Sequence, residues 1–211
     1  MTAPSEPRML VMHGLRLKGF AEPPVVAEAV DVPEDHARAV LDELVAAGAA
    51  AYRDGRLSGY LLTPVGRAEH ARLLSEELEV HGVRHAISAA YARFLGLNTG
   101  LLEVCTAWQL RDVDGESTVN DHSDPTYDAE VIEQLRDLHG RVHPICDELA
   151  MSLARYGVYG PRLTTAVDKV RSGDIDWFTK PVIASYHTVW FELHEDLLAT
   201  LGIERGSEAV G

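Results

Sequence analysis

The sequence contains few cysteines and no long apolar run. Cys105 and Cys146 stand far apart, and no Cys-x-x-Cys spacing occurs, so we expect two buried free thiols in a reducing compartment. No segment approaches the roughly 18 consecutive apolar residues of a membrane span. The first residues, MTAPSEPR, lack the basic and apolar segments of a signal peptide. The sequence therefore predicts a cytoplasmic protein without a membrane partner.

Basic residues are also scarce. The chain has 19 Lys and Arg against 33 Asp and Glu, a net charge of −14, and acids outnumber bases both before and after residue 80. Binding to polyanions in general requires clustered Lys and Arg, so any contact with nucleic acid must come from a local patch. An apolar share of 46% is ample for a buried core.

Catalytic motifs are missing. The chain has no G-x-S-x-G, no glycine-rich phosphate loop and no H-E-x-x-H, and neither cysteine has an evident histidine partner nearby in sequence. The sequence His194-Glu195-Asp196 lacks the second histidine of a metalloprotease helix. We therefore predict no catalytic residue and no cofactor, which favours a protein that is not an enzyme.

The first 80 residues contain regular local signals. An Asp54-Gly55 turn lies between two alternating stretches, which is typical of a hairpin. Thr63 and Pro64 are suited to cap and begin a following helix, and Gly48 to end the preceding one. Before the hairpin, apolar spacing predicts three helices: Met9–Leu17, Val25–Val30 and His36–Ala47, the last with Val40, Leu41, Leu44 and Val45 facing inward.

This order, together with the stretch VLDELVAAGAAAYRDGRLSGYLLTPVGRAEHARLL, resembles MarR-type and related bacterial winged helix-turn-helix regulators over about the first 75 residues. The resemblance implies an N-terminal winged-helix domain, residues 1–80, whose third helix enters the DNA major groove. The implied DNA-binding residues are Arg16, Lys18, His36, Arg38, Arg53 and Arg56. The third helix departs from the pattern because Glu34 and Asp35 would face phosphates. Winged helices also serve as protein-docking or dimerisation modules, so that alternative stays open.

Residues 81–211 are predicted to be an all-helical domain, so the expected fold is mainly α. Apolar stripes predict one helix that ends near Gly96, a second that stops at Arg111-Asp112, and a long seam from Leu135 to Leu153. Pro161 opens a helix over Leu163–Val170, which Ser172-Gly173 closes, and another helix follows Pro181. The segment 111–128 has no periodicity, and loops of this length are often functional; a solvated loop is the alternative for its polar centre, Asn120-Asp121-His122.

The last helix, SYHTVWFELHEDLL, has an unusual flank. Tyr186, Trp190 and Leu193 belong to an apolar seam, while His187 and His194 lie beside it. Residues seven apart differ by only about 20° around a helix, so both imidazoles point the same way. They either border a core or line a pocket. For a pocket that holds a small-molecule effector, the predicted residues are Trp108, His122, Tyr127, Tyr186, His187, Trp190 and His194.

Histidine spacing also raises the question of a metal. His139 and His143 are four residues apart, Asp147 continues their line, and helical effector domains of some GntR-type regulators, which this pattern resembles, bind metals in this way. Two features argue against such a site. Pro144 disfavours helical geometry at His143. His187 and His194, which would supply the further ligands from a neighbouring helix, are two turns apart and therefore too distant to share one ion. We therefore predict no metal.

Three segments, WQLRD, NDHSDPTYD and SYHTVWFELHEDLL, resemble parts of actinobacterial proteins that carry a winged helix beside a helical domain. Some of those proteins are associated with pyruvate phosphate dikinase-like enzymes. The predicted function is a cytoplasmic, homodimeric transcriptional regulator that binds double-stranded DNA and senses a small molecule. The alternative is an enzyme, or an accessory subunit of a pyruvate phosphate dikinase-like enzyme, that uses the winged helix for docking.

Overall fold

A computed structural model of the chain describes residues 4–113 and 115–204. As predicted, the described part is mainly helical. It also contains two small antiparallel hairpins, of which the sequence predicted only the first. The helices are α1 (Pro7–Lys18), α2 (Pro23–Val30), α3 (Glu34–Ala46), α4 (Pro64–His81), α5 (Arg84–Gln109), α6 (Pro125–Ser152), α7 (Tyr159–Arg171), α8 (Asp176–Thr179) and α9 (Tyr186–Leu201), with a 3-10 helix at Ala154–Val158. The strands are β1 (Ala50–Arg53), β2 (Gly59–Leu62), β3 (Leu110–Val113) and β4 (Glu116–Val119). Across both described ranges, every helix is too short or too polar to cross a lipid bilayer.

The chain folds into two compact units. Unit 1 is formed by the described residues of Met1–Ile87, Ala150–Val158 and His194–Gly211, and unit 2 by those of Ser88–Leu149 and Tyr159–Leu193. These units have different bounds from the predicted domains 1–80 and 81–211, because two later segments of the chain belong to unit 1.

The core of unit 1 joins α1, α2, α3 and the first hairpin. Helix α1 packs against α2, α3, α4 and β2, and α3 packs against α2 and β1. Val40, Leu41 and Leu44 are buried in this core, as predicted. The expectation for Val45 is wrong, because it lies on the outer face of α3 and is 37% exposed.

Local signals at the end of the first hairpin act as the sequence predicts. The Thr63 hydroxyl accepts a hydrogen bond from the Gly66 amide at 3.2 Å and donates one to the Gly48 carbonyl at 2.7 Å. Gly48 has a φ of +72°, a conformation that L side chains rarely adopt. A Cβ at Gly66 would lie 1.9 Å from the Ala49 carbonyl oxygen. Only glycine therefore permits this close approach of α4 to the start of β1.

Helix α5 is a single helix over Arg84–Gln109, so the prediction of two helices divided at Gly96 is wrong. The stripes assigned to separate helices lie along one buried line that includes Phe94, Leu101 and Trp108. A side chain at Gly96 would meet no atom within 4 Å. The glycine is therefore an exposed helical position rather than a stop.

Unit 2 contains a hairpin, so the prediction of an all-helical domain and of a loop over 111–128 is wrong. Strands β3 and β4 pair from Leu110 opposite Val119 to Val113 opposite Glu116. Gly115 has a φ of +86°, and its amide donates to the Asp112 carboxylate at 2.9 Å. Asp114 lies outside the described residues.

Helix α6 has a capped N-terminus and contains a proline in its interior. The Asp124 carboxylate accepts hydrogen bonds from the Thr126 and Tyr127 amides, which confirms the predicted cap. The helix runs without interruption through Pro144, as the seam from Leu135 to Leu153 predicts, so the expectation that Pro144 disfavours helical geometry at His143 is wrong. Long helices accept a proline when the packing of their apolar face outweighs one lost hydrogen bond. That face is buried at Leu135, Leu138, Val142, Ile145 and Leu149.

Candidate functional site

Two arginines occupy the first hairpin. Arg53 ends β1, Arg56 lies in the turn, and both are exposed. In the part of the chain that the structure describes, neither guanidinium has a hydrogen-bond or ion-pair partner. The neighbouring acid, Asp54, accepts a hydrogen bond from the Ser58 hydroxyl at 3.0 Å. The hairpin therefore presents two unpaired positive charges to solvent.

Helix α3 is less favourable for contact with DNA. His36 and Arg38 are exposed near its N-terminus, but the Arg38 guanidinium donates to the Glu34 carboxylate at 2.8 Å. Asp35 and Glu43 are also exposed on this helix. The outer face of α3 therefore carries more negative than positive charge.

The last two predicted DNA-binding residues lie at the C-terminal end of α1. Arg16 is exposed and lies 4.0 Å from the Glu195 carboxylate. Lys18 is half-buried and is the last residue of the helix. Cations at this end interact favourably with the helix dipole, which accounts for both residues without a nucleic acid.

In unit 2, the structure brings together three of the predicted ligand-binding residues. Trp108 is buried at the end of α5, with the His122 ring 4.4 Å from its centroid and the Phe178 ring stacked 4.3 Å away. Tyr127, on the first turn of α6, places its hydroxyl 2.8 Å from the Ala107 carbonyl. The hydroxyl thus satisfies a carbonyl at the C-terminus of α5, one of the groups that a helix end leaves without a partner.

His122 is held in an unusual conformation. Its φ is +59°, a region that costs energy for a residue with a side chain. Its Nδ1 lies 3.0 Å from the Asp128 carboxylate, and its amide donates to the Asn120 side chain at 3.2 Å. The buried Asn120 amide group also donates to Asp128 at 2.8 Å and to the Trp108 carbonyl at 3.1 Å.

This arrangement explains the polar centre, Asn120-Asp121-His122, that the sequence left open between a solvated and a functional loop. Asn120 fixes β4 to the end of α5, and Asp128 orients the imidazole of His122. A carboxylate that holds Nδ1 leaves Nε2 as the reactive nitrogen. Within residues 4–113 and 115–204, that Nε2 atom has no hydrogen-bond partner, so it is available to a ligand.

A groove of about 510 Å³ opens beside Tyr127, between α5 and the second hairpin. Its apolar surface comes from Leu102, Ala107 and Leu110 of α5 and the start of β3. Leu102 is 54% and Leu110 39% exposed, so the groove presents apolar surface to solvent. The volume is in the range of small-molecule sites.

The charged residues that line this groove are mainly acidic. Glu103 and Asp112 contribute carboxylates, and Arg111 contributes one guanidinium. The Arg111 guanidinium lies 3.8 Å from the Asp124 carboxylate, which offsets its charge. Glu103 is exposed and has no partner among the described residues.

Two of the remaining predicted ligand residues are core residues of unit 2. Tyr186 and Trp190 are at most 2% exposed. The Trp190 indole packs 4.7 Å from the Phe94 ring and donates to the Asn98 side chain at 3.1 Å. Burial raises the pKa of Tyr186 well above its usual value. Their first role is therefore packing, which corrects their assignment to a pocket lining.

The flanking histidines of α9 differ from each other. His187 is half-buried in unit 2, and burial lowers its pKa. His194 belongs to unit 1 and is 7% exposed. Neither residue lines the groove described above.

The other candidate ligands and nucleophiles are occupied or shielded. His139 lies 3.4 Å from both the Thr164 and Tyr186 hydroxyls, and His143 lies 3.3 Å from Asp147. Burial raises the pKa of both cysteine thiols to about 12, and both are free and buried, as predicted. No group of three or more His, Cys, Asp or Glu among the described residues is arranged to hold a metal ion.

Sequence reasoning missed a buried charge network in unit 1, centred on Arg155. The Arg155 guanidinium donates to Glu77 at 3.1 Å, to Asp196 at 2.5 Å and to the Thr200 hydroxyl at 2.7 Å. His13 Nε2 lies 3.0 Å from the second Asp196 oxygen. The only sequence signal is that charged residues interrupt otherwise apolar helical stripes.

Histidines extend this network. His13 Nδ1 lies 3.1 Å from His70 Nε2. Burial and the neighbouring His13 lower the pKa of His70 to about 3, so His70 is neutral at physiological pH. Burial alone raises the pKa of Asp196, but Arg155 and His13 outweigh it and hold that pKa below its usual value. All of these groups are closed off from solvent, which makes the network structural.

Comparisons of the chain with protein-family models, with curated proteins and with solved structures return no match. The resemblance of the first 75 residues to MarR-type regulators therefore stays a prediction.

Proposed function

We propose that the chain is a cytoplasmic transcriptional regulator in which unit 1 is a winged helix-turn-helix that binds double-stranded DNA. Arg53 and Arg56 on the first hairpin support the proposal most directly, because they are exposed and unpaired within the described residues. Unpaired cations on a hairpin are suited to bind phosphates or to enter the minor groove.

The elements that surround this hairpin support the same function. The order α1, α2, α3, β1, β2, α4 matches the order expected of a winged helix, which supports the proposal. The Tyr60 hydroxyl of β2 donates a hydrogen bond to the Asp42 carboxylate of α3 at 2.7 Å. The Tyr60 backbone also pairs with the backbone of Ala21, which lies just before α2. The hairpin is thus tied to α2 and α3, so its arginines keep a defined position relative to the helix that would read DNA.

A homodimer and an effector complete the proposal. Regulators of this type read two half-sites through a two-fold axis, so we expect two copies of the chain per operator. Unit 2 offers the effector two features: the Nε2 atom of His122 and the groove beside Tyr127. A native mass spectrum would give the number of copies directly.

The first prediction is that Arg53→Ala/Arg56→Ala weakens binding to all DNA sequences. Each lost phosphate contact reduces the slope of log affinity against log salt by about 1, so the double variant should flatten that slope by about 2. Fluorescence anisotropy with the site enriched by genomic selection, at several salt concentrations, measures both affinity and slope.

Arg136→Ala/Arg171→Ala provides a matched control. Both arginines are exposed in unit 2, on α6 and α7, so this variant makes the same change in net charge away from the hairpin. It should retain the native slope. Equal slopes for the two double variants, or genomic selection that enriches no sequence at low salt, would refute DNA binding through the hairpin.

The acidic outer face of α3 favours a second candidate, a module that docks onto another protein such as a partner enzyme. The ion pair between Arg38 and Glu34 and the exposed Asp35 and Glu43 suit a basic protein surface better than phosphates. Under this candidate the Arg53 and Arg56 variant leaves function intact. An obligate neighbouring enzyme gene, rather than an inverted repeat at a divergent promoter, is the genomic sign of this alternative.

A further inference from the structure

We infer that the groove beside Tyr127 binds an organic cation with an apolar body. The inference deepens the effector part of the proposed function and rests on it. It follows from two features of the same short stretch of chain, an exposed apolar floor and an unpaired carboxylate, and from the negative charge of the whole chain.

The floor of the groove selects an apolar body. Leu102 and Leu110 expose 54% and 39% of their surfaces, and Ala107 also contributes to the lining. A ligand that covers this floor removes apolar surface from water, which is the main source of affinity in small-molecule sites. Thr99 and Thr106 add hydroxyl groups along the same face.

The rim selects positive charge. Glu103 is exposed and has no partner in the described ranges, whereas the only guanidinium in the lining, that of Arg111, lies 3.8 Å from the Asp124 carboxylate. Asp112 adds a second carboxylate on β3, which also accepts a hydrogen bond from the Gly115 amide. An anionic ligand would therefore meet two carboxylates against a single, already offset cation.

The charge of the whole chain acts in the same direction. The net charge of −14 on the whole chain further raises the local concentration of cations.

Rhodamine 6G and fluorescein provide the test, because both are fused-ring dyes but the first is a cation and the second an anion at pH 7.5. Fluorescence polarisation of each dye is titrated with the full-length protein in the absence of DNA. We expect saturable binding of rhodamine 6G and at least tenfold weaker binding of fluorescein. Glu103→Gln should weaken rhodamine binding by about three- to fivefold, the effect of one partly exposed charge pair.

Two variants complete the design. Glu130→Gln removes the same charge from an exposed position of α6 that does not line the groove, and it should bind rhodamine 6G like the native protein. Leu102→Ser should weaken binding by removing part of the floor. The inference is overturned if rhodamine 6G fails to bind, binds no tighter than fluorescein, or is affected equally by Glu103→Gln and Glu130→Gln. Because no DNA is present, this failure would leave the result for Arg53 and Arg56 unchanged.

Discussion

At the scale of single residues, the most informative side chain is His70. It is 3% exposed on α4 and lies 3.1 Å from His13, with Arg155, Asp196 and Arg16 in the same electrostatic neighbourhood. Burial, followed by the neighbouring His13, lowers its pKa to about 3 from the ordinary value of 6.5. The folded protein therefore keeps His70 neutral at a pH where the unfolded chain protonates it.

This difference makes stability depend on pH with a defined sign. Below pH 6.5 the unfolded state binds a proton that the folded state does not, so the free energy of unfolding should fall as pH falls from 6.5 toward 3. The limiting slope for one such group is about 1.4 kcal/mol per pH unit. Urea unfolding at pH 7.5, 6.0 and 5.0 measures it, and His70→Gln should remove most of the slope.

His187→Gln is the control for this prediction. Burial also lowers the pKa of His187, but this residue is only half-buried, so the variant should keep most of the native pH dependence. An unchanged slope in His70→Gln would mean that other groups cause the loss of stability in acid.

At the scale of elements, the junction between β2 and α4 depends on one glycine. A Cβ at Gly66 would lie 1.9 Å from the Ala49 carbonyl oxygen, which is backbone and cannot move aside alone. Gly66→Ala should therefore displace the start of α4 from the hairpin and cost about 1–3 kcal/mol, the range for overpacking. Thermal unfolding followed by circular dichroism measures the loss.

Gly96→Ala offers a control of opposite sign. Gly96 lies inside α5, and a Cβ there would meet no atom within 4 Å. Alanine is favoured over glycine in a helix by about 0.5–1 kcal/mol, so this variant should be more stable than the native protein. Similar stability changes in the two variants would show that helix propensity, and not the close approach at Ala49, determines the effect at Gly66.

These elements also show how far local sequence signals reach. The Asp54-Gly55 turn and the Thr63-Pro64 helix start were predictable because each depends on the chemistry of neighbouring residues. The second hairpin has a similar signal in Asp114-Gly115, but Arg111, Asp112, Glu116 and Ser117 hide it, since polar strands lack apolar alternation. Gly96 wrongly predicted the end of a helix. A glycine ends a helix only where tertiary packing does not stabilise the helix beyond it.

The candidate site was predicted in part for the same reason. Trp108, His122 and Tyr127 come together because they flank one hairpin and are close in sequence. Tyr186 and Trp190 satisfy the same aromatic pattern but are buried, and helical spacing alone cannot distinguish a core face from a pocket lining. The groove was missed because its residues come from a helix face and a hairpin whose pairing was not recognised.

At the scale of the whole molecule, unit 1 is built from segments that are distant along the chain. Arg155 pairs with Glu77 and Asp196, and all three side chains are at most 6% exposed. No local periodicity specifies these pairs, so the sequence predicted a domain that ends at residue 80. The structure instead assigns 150–158 and part of α9 to the same unit.

The network yields the last prediction, that unit 1 depends on these later segments. Arg155→Met leaves the buried carboxylates of Glu77 and Asp196 without their guanidinium, which should cost about 3–5 kcal/mol. Arg93→Met breaks an exposed pair with Glu148 and should leave the urea midpoint nearly unchanged.

A peptide of residues 1–80 adds an independent measurement, because it retains His13, His70 and Glu77 but loses both Arg155 and Asp196. We expect it to show no cooperative thermal transition by circular dichroism, because the buried His13, His70 and Glu77 side chains would lack the charged partners that they have in the full chain. A cooperative transition near that of the full chain, or equal stability of the two methionine variants, would instead establish residues 1–80 as an autonomous domain and reduce the network to a peripheral contact.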